Sequence, residues 1–424
     1  MEYRVLTAAR RASRAGETAE KPRYCTWWTI YGDGARLQVK TGRRPVSVVQ
    51  VNYAFDKELT DPDQLLDRYD TLTGWSDALV RAGAGTIAAV QRFHRDIRIA
   101  RNGVDYLFRR AQMPAAVAAC RPDIAHVNGL IFPAQTWRLR RALDPSCAVV
   151  VQNHSDGGAI GRAPLFRLFG RAARGAADAF LFAADEHAVS WRRAGFVARD
   201  QPTYQVMEAS TRLQPVARAA ARDESGVRGT PAILWVGRLN ANKDPLTVLD
   251  GFERSLRDLP AATLTMIYGE DDLLASVRQR VQGSQTLGEC VRLAGAVPHG
   301  RMASFYSAAD LFIVGSHHEG SGYSLMEACA CGAVPVVTDI PTFRLLTGDG
   351  AVGAVWTAGD AADCARALAD AGRRDLEAER ARLAAHFAHK LSWSVVGRRA
   401  LEIYEAVLTN VRGGSAALNG SVST

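Results

Sequence analysis

The sequence predicts an α/β protein built from two parallel-sheet domains, and three observations carry that expectation. From Pro45 onward, short apolar runs alternate with helical stretches, the order expected of a parallel sheet with crossover helices. The alternation lapses between Leu213 and Thr230 and then restarts. A chain of 424 residues is also too long for one ordinary hydrophobic core. The expected division is an extension over 1–44, a first domain over 45–213, a linker over 214–230, and a second domain over 231–395.

Residues 1–44 have no sustained period. TAARRASRAGETAEKPR is polar enough to predict disorder. YCTWWTIYGDGARLQVK leaves two readings open, a hairpin around Gly32–Gly34 or an unusual leader. In the first domain, strands are expected at 46–52, 86–93, 123–129, 147–154 and 178–185, and helices at 61–83, 113–120, 136–143 and 163–176. In the second, PAILWVGRL (231–239), TLTMIYG (263–269), VRLAGAV (291–297), DLFIVGS (310–316) and VPVVTD (334–339) are the expected strands. A long helix over 392–411 and a polar tail close the chain. No repeat of 20–50 residues recurs, which excludes a solenoid.

Composition narrows the class. With 47% hydrophobic and 23% charged residues the chain is of ordinary globular type, and no apolar run approaches the ~18–20 residues of a membrane helix. The start, MEYRVLTAARRASRAG, lacks the apolar core of a signal peptide, and seven scattered cysteines fit a reducing compartment. The expectation is a cytoplasmic protein. The net charge of +8 divides into +10 over residues 1–213 and −2 over the remainder. That excess suits an anionic partner for the first domain, such as a membrane surface, or else a solvated Arg-rich face. The basic helix 163–176 carries both readings. Arg167, Arg171 and Arg174 share a face beside Arg162, and Leu165, Leu168 and Phe169 lie on a neighbouring arc. A nucleic-acid partner is not expected, because the interleaved aromatics and basic stripe are missing.

The densest chemistry lies in HHEGSGYSLMEACACGAVPVV (317–337). Glu319 sits in a glycine-rich loop, Gly322 and Tyr323 open a helix, and Glu327 lies about a turn and a half inside it. The helix N-terminus between the two carboxylates is a ready anion site. Upstream, Arg238 and Lys243 flank the loop after the first strand of the second domain, one fork and one point charge suited to a diphosphate. Glu327, an acceptor only when ionised, could take both hydroxyls of a ribose, and Glu319 those of a sugar. In the first domain His154 ends a strand, and His126 has the setting of a structural histidine.

These residues carry a resemblance. VGRLNANKD (236–244), the stretch 291–337 and LSWSVVGRRALEIYEAVL (391–408) resemble a family-4 retaining glycosyltransferase, glycosyltransferase group 1, of the GT-B fold. The resemblance implies two Rossmann-like domains facing a central cleft, with the first binding the acceptor and the second a nucleotide-sugar donor. It implies that Arg238 and Lys243, with Gly322 and Tyr323 at the helix mouth, hold the donor diphosphate, that Glu327 takes the ribose, and that Glu319 contacts the sugar. It places His154 at the sugar and acceptor face, and it sends the terminal helix 396–411 back onto the first domain. The implied acceptor is a glycan, a lipid-linked molecule or a small molecule, and no cofactor or metal is implied.

The sequence departs from the family at three places. VNYAFDKEL (51–59) lacks the Gly-Gly loop of many members, Ser321 and Tyr323 replace bulkier or aliphatic residues around Gly322, and MEAST (207–211) replaces a glycine-containing hinge turn. Two metal look-alikes are set aside. His317, His318, Cys329 and Cys331 have the composition of a zinc set, but the two cysteines point to different helix faces. DPD (61–63) mimics an Asp-x-Asp metal motif and reads as a helix start. The alternatives to a transferase are a GT-B phosphorylase, epimerase or hydrolase acting on a nucleotide sugar, and a non-catalytic basic adaptor that reuses the fold.

Overall fold

A computed structural model describes residues 44–154, 164–269 and 271–419. The Gly32–Gly34 turn, the disorder expected over 1–43, Arg162, the side chain of Leu165 and residues 420–424 lie outside the described residues.

The first sheet contains β1 (Val48–Asn52), β2 (Ile87–Arg92), β3 (Ile97–Arg101), β4 (Val104–Arg109), β5 (Ile124–Asn128), β6 (Ala148–Gln152), β7 (Ala179–Phe182) and β8 (Thr203–Gln205). Their spatial order is β3-β4-β2-β1-β5-β6-β7-β8, with every neighbouring pair parallel except β3 and β4. The second sheet contains β9 (Ala232–Gly237), β10 (Thr263–Tyr268), β11 (Val291–Gly295), β12 (Leu311–Val314), β13 (Val334–Thr338) and β14 (Ala354–Trp356) in the order β11-β10-β9-β12-β13-β14, all parallel. This is the 3-2-1-4-5-6 order of a doubly wound nucleotide-binding sheet. The central strands are buried almost throughout, because helices cover both faces, and their sequences are accordingly near-continuous apolar runs.

The strand order reverses twice, between β1 and β5 and between β9 and β12. Crevices open outside the strand carboxyl ends at such points. Asn52, Asn128 and His154 follow or end strands at the first; Arg238, Lys243, Ser316 and Glu319 follow strands at the second.

The structure departs from the sequence expectation at β8 and β14, which were not foreseen, at Tyr69, which divides the expected helix 61–83 into Pro62–Arg68 and Asp70–Ala82, and at three further features. The β3–β4 hairpin was not foreseen, although Asn102-Gly103 at its turn is the strongest short hairpin signal; both residues have positive φ, 54° and 78°. The expected linker contains a helix, Arg218–Ser225. Its apolar pattern is thin because arginines anchor it instead: Arg218 and Arg222 reach the buried carboxylate of Asp310, which also accepts from Arg380 at 2.9 Å and from the backbone of Ala232 at 2.7 Å. The terminal helix runs from Trp393 to Asn419, past the expected start of the polar tail.

The terminal helix packs on Asp70–Ala82 of the first domain. Gly74 and Gly397 make the close approach possible, since a Cβ on Gly74 would enter the Trp393 ring and one on Gly397 would enter the backbone of Ala78. Beneath the crossing, Trp75 Nε1 donates to Tyr404 Oη at 3.1 Å, and Tyr404 Oη lies 2.6 Å from His126 Nδ1. His126 is fully buried, and burial pushes its imidazole down to about 3, which keeps it neutral. It belongs to the packing of the molecule, in line with the structural reading of its sequence setting.

Candidate active site

The second sheet supplies most of the site. β9 ends at Gly237, and Arg238 follows it, exposed to solvent. The chain then turns through Asn240 to Asp244, whose side chain caps the helix Pro245–Ser255 by accepting from Thr247 N. That cap, with Pro245 in the first helical turn, fixes where Lys243 emerges. The loop after β12 is laced to this turn: Asn242 accepts from His317 N at 2.9 Å and from His318 N at 3.1 Å, and donates to His318 O at 3.0 Å. His317 Nε2 lies 3.2 Å from Asp244 Oδ2.

That lacing brings Lys243 and Glu319 together as an ion pair, with only 12% and 13% of the two side chains exposed. Glu319 Oε1 also accepts from Ser316 Oγ at 2.6 Å, and Ser316 O accepts from Thr338 Oγ1 at 2.6 Å. The structure therefore pairs the cation expected at a diphosphate with the carboxylate expected at a sugar. Arg238, after β9, is exposed to solvent.

The loop reaches the helix Tyr323–Ala330 through Gly322, which has φ +65°; a Cβ there would lie 2.7 Å from Leu346 Cδ1. Both the left-handed backbone and the packing require glycine. The helix has no side-chain cap, and Tyr323 at its start is 39% exposed. Glu327, one turn further on, accepts from Tyr306 Oη at 3.0 Å and is paired with His299 Nε2 at 2.8 Å. The hydrogen bond to Glu327 raises the His299 imidazole above its ordinary value, and burial holds the Tyr306 phenol far up. A carboxylate has about four lone-pair sites, so Glu327 retains capacity for hydroxyl donors.

The first sheet faces this loop with His154. Gly320 lies against both His154 and Glu208: a Cβ built on it would sit 3.6 Å from His154 O and 3.9 Å from Glu208 Oε1, ordinary van der Waals contact. His154 Nδ1 lies 2.9 Å from Glu208 Oε2 and Nε2 lies 3.2 Å from Asn128 Oδ1. Further along the interface, Thr342 Oγ1 donates to Glu319 O at 2.6 Å and lies 3.4 Å from His187 Nε2 of the first domain. Asp70, at the start of the first domain's Asp70–Ala82 helix, has its carboxyl pushed up by burial and lies within electrostatic reach of His299 and Glu327.

Glu208, Asn128, His299 and Tyr306 were not singled out from the sequence. Glu208 alone left a signal, a charged residue within the otherwise apolar and small run VMEAS. Among the described residues no group of three or more His, Cys, Asp or Glu is placed to hold a metal. Cys329 and Cys331 are buried thiols that burial pushes up to about 12. Asp61 caps its helix by accepting from Asp63 N, with Pro62 in the first turn, so DPD is a helix start.

Residues 218–386 match the family described as glycosyl transferases group 1. The second domain therefore resembles the group 1 glycosyltransferases. The match begins at the Arg218–Ser225 helix and takes in Arg238, Lys243, Glu319 and Glu327. Among curated relatives, a D-inositol 3-phosphate glycosyltransferase of Streptosporangium roseum is 28% identical over 212 residues, 47% of this chain; the chain spans only about half, 48%, of that relative's length. A GDP-mannose:cellobiosyl-diphosphopolyprenol alpha-mannosyltransferase of Xanthomonas campestris is 25% identical over 338 residues, covering 76% of this chain and 85% of the relative. The sucrose-phosphate synthase structure from Thermosynechococcus elongatus superimposes with a TM-score of 0.61 at 18% identity, covering 86% of this chain and all of that one. The fold shared with that structure is GT-B.

Proposed function

We propose that the protein transfers a sugar from a nucleoside-diphosphate donor to a hydroxyl of an anionic acceptor, with the anomeric configuration retained. The observation that carries the reading is the meeting of two strand-end crevices: Lys243, Glu319 and the Tyr323 helix mouth from one sheet, His154 and Glu208 from the other. Fixed cations and an uncapped helix N-terminus stabilise the charge that develops on a departing diphosphate. Arg238, Lys243, Gly322 and Tyr323 take the diphosphate in this reading, Glu327 the ribose, and Glu319 the transferring sugar. The bond from the anomeric carbon to the diphosphate oxygen breaks as the acceptor oxygen bonds on the same face. The acceptor's proton passes to the departing phosphate oxygen. No metal is needed to neutralise that leaving group.

The acceptor side rests on charge. The first domain carries the basic excess, and the two curated relatives are named for D-inositol 3-phosphate and for a diphosphopolyprenol, both phosphate-bearing. A lipid-linked acceptor would bring the protein to an anionic membrane face. Among the described residues no helix is long and apolar enough to cross a membrane, so contact would be peripheral.

The test is a panel of uridine and guanosine diphosphate sugars offered with inositol phosphate and polyprenyl-diphosphate glycans, read by mass spectrometry, with the product anomer assigned by NMR. Transfer that persists in excess chelator and gives the donor's anomer is expected. Donor turnover without any acceptor would favour the phosphorylase, epimerase or hydrolase reading, and loss of activity in chelator with recovery in magnesium or manganese would overturn the metal-free one.

A further inference from the structure

The segment Val206–Thr211 leaves the first sheet after β8 and is buried at every position, yet it carries a carboxylate, Glu208, that is 1% exposed. Burying a charged group is unfavourable unless something answers it. Among the described residues Glu208 Oε1 has no hydrogen-bond partner, and Oε2 is answered by one group, His154 Nδ1, at 2.9 Å. The opposite edge of that imidazole is also held. Its Nε2 lies 3.2 Å from Asn128 Oδ1, while Asn128 Nδ2 donates to Asn52 Oδ1 at 2.6 Å and to Gln50 Oε1 at 3.3 Å. Gln50 is wholly buried and donates to Ser76 Oγ at 3.2 Å. The ring of His154 is thus clamped between the ends of β1 and β5 on one side and the interdomain segment on the other. Its own side chain is 26% exposed, so the clamped ring still reaches the space between the sheets.

We infer that Glu208 is the positioning residue of His154, accepting from Nδ1–H and so fixing the ring plane and a proton on the Nδ1 edge. A carboxylate is an acceptor only, which leaves one sense for this hydrogen bond. The partner of one ring nitrogen decides which nitrogen carries the proton. The functional half of the inference rests on the transfer reaction proposed above; the pairing itself does not.

Two measurements test it. In imidazole ¹⁵N spectra of histidine-labelled protein, with His154 assigned by its loss in His154→Gln, Nδ1 should read as a protonated nitrogen in the wild type. Glu208→Leu should move that resonance, and Glu208→Gln, whose amide oxygen can still accept, should keep part of the wild-type pattern. An unmoved His154 resonance in both variants would overturn the inference whatever the activity. In steady-state transfer, Glu208→Leu should lower kcat on the order of 10- to 100-fold while donor KM stays within about twofold, with Glu208→Gln partly restoring kcat. Added to His154→Ala, it should cost nothing further, because a residue that acts through another has no effect once that other is gone. Additive losses would identify Glu208 as a packing residue and overturn the proposal. If Glu208→Leu fails to fold, Glu208→Gln carries both comparisons. If no donor is turned over, the transferase reading fails and the spectra alone decide the pairing.

Discussion

Lys243 can meet a diphosphate only while it holds or releases Glu319, because the two form a nearly buried ion pair. Removing either partner leaves an unanswered charge in a protected place. Arg238 is exposed to solvent. Lys243→Ala should therefore lower turnover by about 10²- to 10³-fold, as for loss of one charge-stabilising donor, and Arg238→Ala by less; near-wild-type kcat in both would contradict the diphosphate assignment. The His299–Glu327 pair gives a pH signature. The His299 imidazole is raised above its ordinary value of 6.5 in the fold by its hydrogen bond to Glu327. Its stabilising contribution is then fully present below pH 6.5 and is lost as pH rises through the raised value. Thermal midpoints of wild type and His299→Gln should differ in acid, by a few degrees at most for so exposed a ring, and converge as pH rises through the raised value; a gap that widens with pH would contradict the pairing. At this scale the sequence showed the groups that sit beside glycines and strand ends, Lys243, Glu319 and Glu327. Glu208 showed only as a lone charge in an apolar run and Tyr306 not at all, because their meaning comes from partners 54 and 21 positions away.

Among the elements, the basic helix Pro164–Ala173 presents Leu168 and Phe169 at 63% and 56% exposure, while Phe166 turns inward against Phe196. The arginines expected to share one face have separate tasks: Arg171 Nε donates to Ala194 O at 3.2 Å, and Arg174 opens a 3₁₀ turn beyond the helix. The neighbouring helix Pro133–Ala142 adds exposed Trp137, with the Arg141 guanidinium 4.8 Å over its ring. An amphipathic surface of this kind suits a headgroup layer, where each basic residue contributes about 1 kcal/mol. Arg141, Arg167 and Arg174 changed together to Glu should weaken co-sedimentation with anionic vesicles on the order of 100-fold at low salt, with neutral vesicles unaffected. Equal binding by wild type and variant would leave the solvated-face reading and favour a soluble acceptor. Strands with long apolar runs were legible because both faces are covered. β8 and β14, three residues each, are too short to carry a period, and the Arg218–Ser225 helix is held by a carboxylate remote in sequence rather than by an apolar stripe.

For the molecule as a whole, the two-sheet plan could be read from alternation alone, and the family resemblance implied that the terminal helix returns to the first domain; the residues that make the contact were not legible, since Trp75, His126 and Tyr404 are three ordinary residues until that helix crosses Asp70–Ala82. Gly397→Ala should cost roughly 1–3 kcal/mol by forcing that crossing apart, while Gly413→Ala, with open space around it, should be neutral or stabilising. Urea midpoints for the two variants make the comparison, and equal values would mean the close approach carries no weight. The same crossing imposes an order on biosynthesis. The face of the first domain around Trp75 leaves the ribosome before the helix that covers it, Trp393–Asn419. At synthesis rates of about 5–20 residues per second, that face waits about 15–60 s for its cover. During that interval the apolar face around Trp75 stays open to solvent, and a ribosome stalled before Trp393 would hold a first domain without its cover.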